Sequence, residues 1–476
     1  MKIGVLILKI ILINPSPTVE IENRNNKIVK RQNTYPPLGL LYLGEILSRE
    51  GHNVKILDQD VTGASPAQIL ESIKKFDPNI VGLSPLSPSF NISMEIAKLI
   101  KNWNPNINLI VGNILATLCS DLILKDYPFV DYCVRGEAEK PLPNLIDVIE
   151  KNKLDELENV RGITFRKDNK IKMTPNAKPI KDLDEIPFPD RNLIDYNYTM
   201  SGKKFTILAT SRGCPFNCKF CGIHINSGLK GVLRVRSLKN VIDELKYLED
   251  CGYEEISFVD DCFVLNQKRT VDLCLMMQKE KFDFSWGCEG RVDQANIQLL
   301  RTMEKSNCKS VLFGIESANK RMLNYYNKRI TPEISQQAIK NAHKARIENI
   351  IGLFILGGPG ETLDEINNTI KFSMKLDLTF IQYQYLYILM GSDLWKELEK
   401  KNIVSRERDW KKYIRVFEVL PNVLGEEILE KIMVNAYAKF LSNPKFIRNQ
   451  ILKTMTSKYR INLIENSIKA LLNKIS

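Results

Sequence analysis

The chain has 476 residues, 44% hydrophobic and 26% charged, which excludes collagen-like and low-complexity classes and leaves room for two or three domains of about 150 residues each. Its 68 Lys+Arg against 56 Asp+Glu give a net charge of +12, of which the tail from Lys396 to Ser476 carries +8 (17 basic, 9 acidic). Ten cysteines are too sparse for a disulfide scaffold, and the three histidines, His52, His224 and His343, argue against a Ser-His-Asp or His-rich metal hydrolase.

Residues 1–150 alternate strand and helix signals. Strands are predicted at Ile3–Ile13, His52–Leu57, Asn79–Ser84, Asn108–Val111 and Val130–Val134. Helices are predicted between them at Leu38–Arg49, Pro66–Phe76, Ser93–Trp103 and around Ser120–Lys125. Met1–Ile13 is apolar but broken by Lys9 and runs into Asn14-Pro15-Ser16-Pro17, so it reads as a buried strand rather than a signal peptide. No apolar run reaches the ~18 residues of a transmembrane helix, and a cytoplasmic protein is expected. Short apolar strands alternating with helices indicate a doubly wound α/β domain of flavodoxin or Rossmann type, whose ligands sit at the carboxyl ends of the strands. Those ends are Asn14-Pro15, Asp58, Ser84, Gly112-Asn113 and Arg135-Gly136-Glu137.

Residues 151–200 read as a connector, with a hairpin over Gly162–Lys172 and a proline-bearing linker over Leu183–Arg191. A second strand–helix series fills 201–392, with strands at Phe205–Ala209, Glu254–Val259, Phe284–Cys288, Ser310–Ile315, Asn349–Leu356 and Phe380–Leu386. Six βα repeats are too few for a full TIM barrel and predict a partial (βα)6 barrel. Residues 393–476 read as helices. Within them Phe446, Ile447, Ile451, Leu452 and Met455 recur at helical spacing beside Lys445, Arg448 and Lys453. Such an apolar stripe with a basic flank packs on its own domain or lies on a membrane surface.

Arg212-Gly-Cys-Pro-Phe-Asn-Cys-Lys-Phe-Cys-Gly222 places Cys214, Cys218 and Cys221 in a C-x3-C-x2-C spacing directly after the first strand of the second series. Three thiolates on one short loop suit three irons of a [4Fe–4S] cube and leave the fourth iron open. The alternative is a Cys3His zinc site completed by His224.

This motif, with Phe220 just before the last cysteine, resembles the radical S-adenosylmethionine (radical SAM) superfamily. Tyr35-Pro-Pro-Leu-Gly-Leu-Leu-Tyr-Leu43, Val81-Gly-Leu-Ser84, Arg135-Gly-Glu-Ala-Glu139 and Leu183-Asp-Glu-Ile-Pro-Phe-Pro189 resemble the subgroup with an N-terminal cobalamin (B12)-binding domain. Members of that subgroup include the anaerobic Mg-protoporphyrin ester cyclase and the hopanoid methylases. Phe258-Val-Asp-Asp261, Gly314-Ile-Glu-Ser317, Gly357-Gly-Pro-Gly-Glu-Thr362 and Phe440-Leu-Ser-Asn-Pro444 are similar to its later motifs.

The resemblance implies one [4Fe–4S] cluster on Cys214, Cys218 and Cys221, and SAM reductively cleaved to a 5′-deoxyadenosyl radical. It implies SAM contacts from Phe220, Gly222, Arg291, Glu316 and Gly358, and cobalamin contacts from Asn14, Ser84, Gly112, Asn113, Gly136 and Glu137. For Arg291 and Glu316 the competing expectation is a structural ion pair, and for Asp260 and Asp261 a loop cap rather than proton handling. The chain departs from the subgroup in lacking DxHxxG, in having Gly112-Asn-Ile-Leu-Ala-Thr117 where relatives show Gly-Gly-Pro-His-Ala-Thr, and in Gly136-Glu-Ala-Glu139. Asn113, Ile114 and Leu115 put bulk where the corrin should approach. The expected function is cobalamin-dependent C-methylation of an unactivated carbon. The alternatives are radical cyclisation or rearrangement with a degenerate, cobalamin-free N-terminal domain, and a non-catalytic Fe–S or zinc protein. Expected partners are an electron donor such as flavodoxin or ferredoxin and a small-molecule, lipid or peptide substrate. Peripheral membrane contact through the basic C-terminal helices is a further expectation. Nucleic acid is not expected, because the tail is helical and the N-terminal region lacks the extra cysteines of the tRNA methylthiotransferases.

Overall fold

The computed structural model describes residues 7–16, 35–200, 202–411, 424–457 and 461; Ile3–Leu6 of the first predicted strand and most of the tail beyond Ser457 lie outside the described residues. The chain forms two compact units. The first comprises the described parts of Met1–Tyr196, Gly222–Val232 and Leu389–Glu418, the second those of Asn197–Cys221, Leu233–Ile388 and Val419–Ser476. The short segment after the third cysteine and the stretch from Leu389 thus group with the first unit.

The first unit is built on strands β1 (Lys9–Asn14), β2 (Asn53–Asp58), β3 (Ile80–Leu83), β4 (Asn108–Val111), β5 (Tyr132–Val134), β6 (Ile163–Lys167) and β7 (Lys170–Met173). They form one sheet in the order β2-β1-β3-β4-β5-β6-β7. The first five are parallel, while β6 and β7 add an antiparallel edge, so the predicted hairpin extends this sheet. Ile10, Ile11, Ile13, Val81, Leu109 and Val111 are fully buried, as a parallel sheet covered on both faces requires. Strand order reverses at β1/β3, which makes the crevice beyond Asn14 and Ser84 the topological switch point.

One helix differs from expectation. It runs over Asn113–Asp126, starting directly at the end of β4, with non-helical backbone at Cys119 (φ −133°, ψ 23°). The apolar run from Ile114 to Leu118 is part of this helix and not of a loop.

The second unit carries β8 (Thr199–Met200), β9 (Lys203–Leu208), β10 (Glu255–Phe258), β11 (Ser285–Arg291), β12 (Cys308–Glu316), β13 (Asn349–Leu356) and β14 (Phe380–Tyr385). The order is β14-β13-β12-β11-β10-β9-β8, with six parallel strands from β9 to β14 and β8 antiparallel. This is the predicted partial barrel. Its core lies between strands and outer helices and includes Phe258, Trp286, Phe313, Phe354 and Leu245. The helix Leu238–Asp250 begins at Ser237, whose side chain accepts from Asn240 N, and is followed by Gly252 at φ +76°. Helices Glu426–Leu441 and Pro444–Thr456 follow the barrel. Among the described residues no helix is long and apolar enough to cross a membrane.

Candidate active site

The three cysteines sit on the loop that leaves β9, each partly exposed. That loop is held by the next strand. Asp260, just past β10 and 2% exposed, accepts hydrogen bonds from Thr210 N (3.0 Å), from Thr210 Oγ1 (2.7 Å) and from Ser211 Oγ. Asp261 accepts from Gly213 N at 2.7 Å. Burial holds both carboxyls above the usual carboxylate range, and the loop donors offset only part of that rise. These carboxylates cap the cysteine loop.

Arg291, at the end of β11, works from below the same loop. Its guanidinium stacks on the Phe216 ring, 3.7 Å from the centroid, and Nη1 donates to Cys218 Sγ at 3.8 Å. Nε and Nη2 bond both oxygens of Asp293 at 3.0 and 2.9 Å, and Nη2 also donates to Lys328 O at 2.7 Å. Glu316 lies in left-handed backbone (φ +64°) and pairs with Lys328 Nζ at 2.6 Å, both side chains under a tenth exposed. Burial works against the Lys328 charge, but Glu316 and Cys218 outweigh it and hold the ammonium above its ordinary range. Arg291 and Glu316, two of the five residues expected to touch SAM, are therefore already engaged in ion pairs beside the cysteine loop.

Sequence reasoning missed the segment that joins these parts. Tyr326 accepts from Lys219 N at 2.9 Å through its carbonyl, and Asn327 Nδ2 donates to Asn217 O at 2.8 Å. The Tyr326 ring meets Phe220 edge-on, with centroids 5.4 Å apart. A Cβ on Gly358 would fall 2.1 Å from the Tyr326 hydroxyl, so only glycine lets the turn after β13 approach this ring. That turn is tied by Glu361, whose Oε2 accepts from Gly357 N (2.8 Å) and Gly358 N (2.9 Å). Burial pushes the Glu361 carboxyl up to about 7. The contacts of Tyr326 and Asn327 with the cysteine loop left no signal in the sequence, because they join residues about a hundred positions apart with no shared motif. Gly222 belongs to the first unit, where a Cβ would strike Ile225 and Leu389 at 2.9 and 3.0 Å.

Among the described residues no three His, Cys, Asp or Glu side chains converge on one point, as a single zinc ion would need. A cube takes one thiolate per iron and imposes no such convergence. The donor set fits a cluster: three part-exposed thiols on a pinned loop, with two cations, Arg291 and Lys328, beside Cys218.

At the carboxyl edge of the first sheet, where Asn113, Ile114 and Leu115 are expected to add bulk, Asn113 and Leu115 find partners within their own unit and Ile114 stays partly exposed. Leu115 is 3% exposed and packs into the unit's core, while Asn113, at φ +72°, turns its amide to Ser84 Oγ (3.2 Å). A Cβ added to Gly112 would meet nothing within 4 Å. Asn14 Nδ2 donates to Asp58 Oδ1 at 2.8 Å, closing the other side of the switch point. Gly136 (φ +77°) donates its N–H to Thr117 Oγ1 at 2.9 Å, and Thr117 in turn bonds Asn226 at 3.1 Å. Glu137 accepts from Ile180 N at 3.1 Å and so fastens the connector. Beside Gly112 this edge is open, which leaves room there for a ligand.

Residues 208–373 match the radical SAM superfamily, and residues 27–146 match the B12 binding domain. An uncharacterized methyltransferase of Pyrococcus horikoshii is 36% identical over 94% of this chain and 95% of its own length. The chain belongs to the radical SAM superfamily, in the group with an N-terminal B12-binding domain. The anaerobic magnesium-protoporphyrin IX monomethyl ester cyclase of Rubrivivax gelatinosus is 29% identical over 87% of this chain and 75% of its length. Among solved structures, the radical SAM methyltransferase TsrM from Kitasatospora setae matches at TM-score 0.68 and 17% identity, covering 83% of this chain and 78% of its own. The cobalamin-dependent radical SAM enzyme OxsB matches at TM-score 0.64 and 19% identity, over 91% of this chain and 62% of its own. Both share the order of a B12-binding-type domain followed by a partial barrel. As a radical SAM protein the chain is an enzyme whose cofactors are a [4Fe–4S] cluster and SAM, with cobalamin as the ligand of its N-terminal domain type. Radical SAM enzymes need a reductant and a substrate.

Proposed function

We propose that this enzyme methylates an unactivated carbon with cobalamin as methyl carrier. The observation that carries the reading is the open space beside Gly112, where an added Cβ meets no atom within 4 Å, together with the burial of Leu115 away from it. The full-length similarity to a methyltransferase supports the same reaction. When bound, the reduced cluster and SAM supply a hydrogen-abstracting radical, and cobalamin supplies the methyl group.

The chain's own residues hold and position. Cys214, Cys218 and Cys221 bind the cluster. Arg291 and Lys328 balance thiolate charge at Cys218, Arg291 by a charge-assisted contact. Phe220 and the Gly357-Gly358 turn, braced on Tyr326 and Glu361, form a wall of the SAM site, while Glu316 acts through Lys328. Asn14, Ser84, Gly112 and Asn113 border the corrin site. None of these tasks needs an acid–base histidine. A flavodoxin or ferredoxin of the reducing cytoplasm is the electron donor. The substrate is a small molecule, lipid or peptide.

The similarity to the cyclase supports the competing reading, radical cyclisation. The test is anaerobic turnover of cobalamin-loaded enzyme with dithionite, SAM labelled in its methyl group, and a lipid and small-molecule extract of the source cells. Methylation yields 5′-deoxyadenosine and S-adenosylhomocysteine together, with label in a new product. Deoxyadenosine with no labelled product would reject methyl transfer in favour of cyclisation.

A further inference from the structure

The helix Pro444–Thr456 has two faces of different chemistry. One is fastened to the second unit: Phe446 packs on Phe440 with centroids 4.5 Å apart, Asn449 Nδ2 donates to Asp377 Oδ1 at 2.9 Å, and Gln450 Nε2 donates to Thr379 O at 3.3 Å. The other carries Ile447, Ile451, Leu452 and Met455, which are 44%, 55%, 56% and 75% exposed. Positions 447, 451 and 455 follow one another at i, i+4 and i+8, so they share a face. Scattered exposed apolar residues are ordinary, but four large ones on one short helix mark an interaction surface. The stripe predicted from sequence is thus divided, with Phe446 turned inward and the other four outward.

Charge selects what this face meets. From Lys431 to Thr456 the sequence holds Lys431, Lys439, Lys445, Arg448 and Lys453 and not one Asp or Glu. A second copy of the chain would bring the same basic surface against itself in a two-fold interface, which like charge opposes. A nucleic-acid backbone would use the cations and leave the aliphatic side chains in water. We propose that this face docks on the surface of an anionic lipid bilayer, the four aliphatic side chains entering the acyl boundary and the exposed Lys445 and Arg448 meeting the headgroups.

The test is flotation of the full-length protein with vesicles of phosphatidylcholine alone and of phosphatidylcholine with phosphatidylglycerol. The protein should float with the anionic vesicles at low salt and detach as salt screens the charges. K445E/R448E should weaken partition about tenfold or more, and I451E/L452E should abolish it, with unchanged far-ultraviolet circular dichroism because all four residues are surface residues. L275E, which alters a comparably exposed leucine on the helix Gln267–Glu280 (53%), should leave flotation intact. No flotation at low salt, or equal flotation of I451E/L452E, would overturn the proposal. So would a concentration-dependent dimer abolished by I451E/L452E, which would assign the face to a second copy.

Discussion

The carboxyl edges of the two sheets solve opposite problems. At the edge of the second sheet polar groups from three successive strand ends hold the cysteine loop. Asp260 and Asp261 grip it from β10, Arg291 from β11, and Tyr326 and Asn327 from the segment after β12. At the edge of the first sheet the side chains bond one another, Asn14 to Asp58 and Asn113 to Ser84, and leave a bare backbone at Gly112. A cluster bound by three thiolates needs those thiolates fixed. A planar macrocycle needs clear space and a flat wall, which the absence of a side chain provides.

The largest contrast should come from breaking one carboxylate on each edge. Asp260→Ala leaves the buried donors of Thr210 and Ser211 without their acceptor, each costing about 1–3 kcal/mol, on the loop that carries the cysteines. Most of the cluster iron should be lost on reconstitution, with Asp260→Asn intermediate because it keeps an acceptor oxygen. Asp58→Ala, at the other edge, should leave the iron content unchanged. Iron assays on the three variants check this, and equal loss from both edges would erase the distinction.

A smaller effect should appear in the pH dependence of stability. Glu361 ties the glycine turn with one oxygen, while its Oε1 is buried without a hydrogen bond. Its folded carboxyl titrates at about 7 against 4.5 for the free group. Between these values the folded state binds a proton that the unfolded state has released, so stability falls as pH rises through that window. Above it the ionised group costs roughly 3 kcal/mol. Glu361→Gln keeps an acceptor for the two amides and does not titrate, so its stability should be nearly flat over the same window. Anaerobic urea unfolding at about pH 5 and pH 8 measures the difference, and parallel slopes for both proteins would contradict the assignment.

The same contrast explains what the sequence disclosed. Cys214, Cys218 and Cys221 are legible because metal chemistry demands particular residues at a short, fixed spacing. The strand ends of both sheets were legible from the alternation of apolar runs with helices, and the partial barrel from the count of repeats. The open space at Gly112 was not, because it consists in a missing side chain: Leu115 reads as an obstruction until the helix is seen to begin at Asn113 and Leu115 is found buried. Tyr326 and Lys328 were silent for a different reason. They act through contacts between separate strand ends, which neither periodicity nor spacing records, while Glu361 stands inside the Gly357–Thr362 motif and only its bonds to Gly357 and Gly358 needed the structure.

The central claim is that one chain holds an iron–sulfur cluster and a corrin at two independently built sites. Its most direct test is the iron, sulfide and corrin content of three anaerobically purified proteins made with cobalamin supplied. The unaltered chain should hold about four irons and one corrin. The variant C214A/C218A/C221A should lose the iron and keep the corrin. Gly112→Leu, whose Cβ would meet no neighbouring atom and whose φ of −116° suits an ordinary residue, should keep the iron and lose the corrin. Full iron in the triple variant, or no corrin in the unaltered chain, would contradict it.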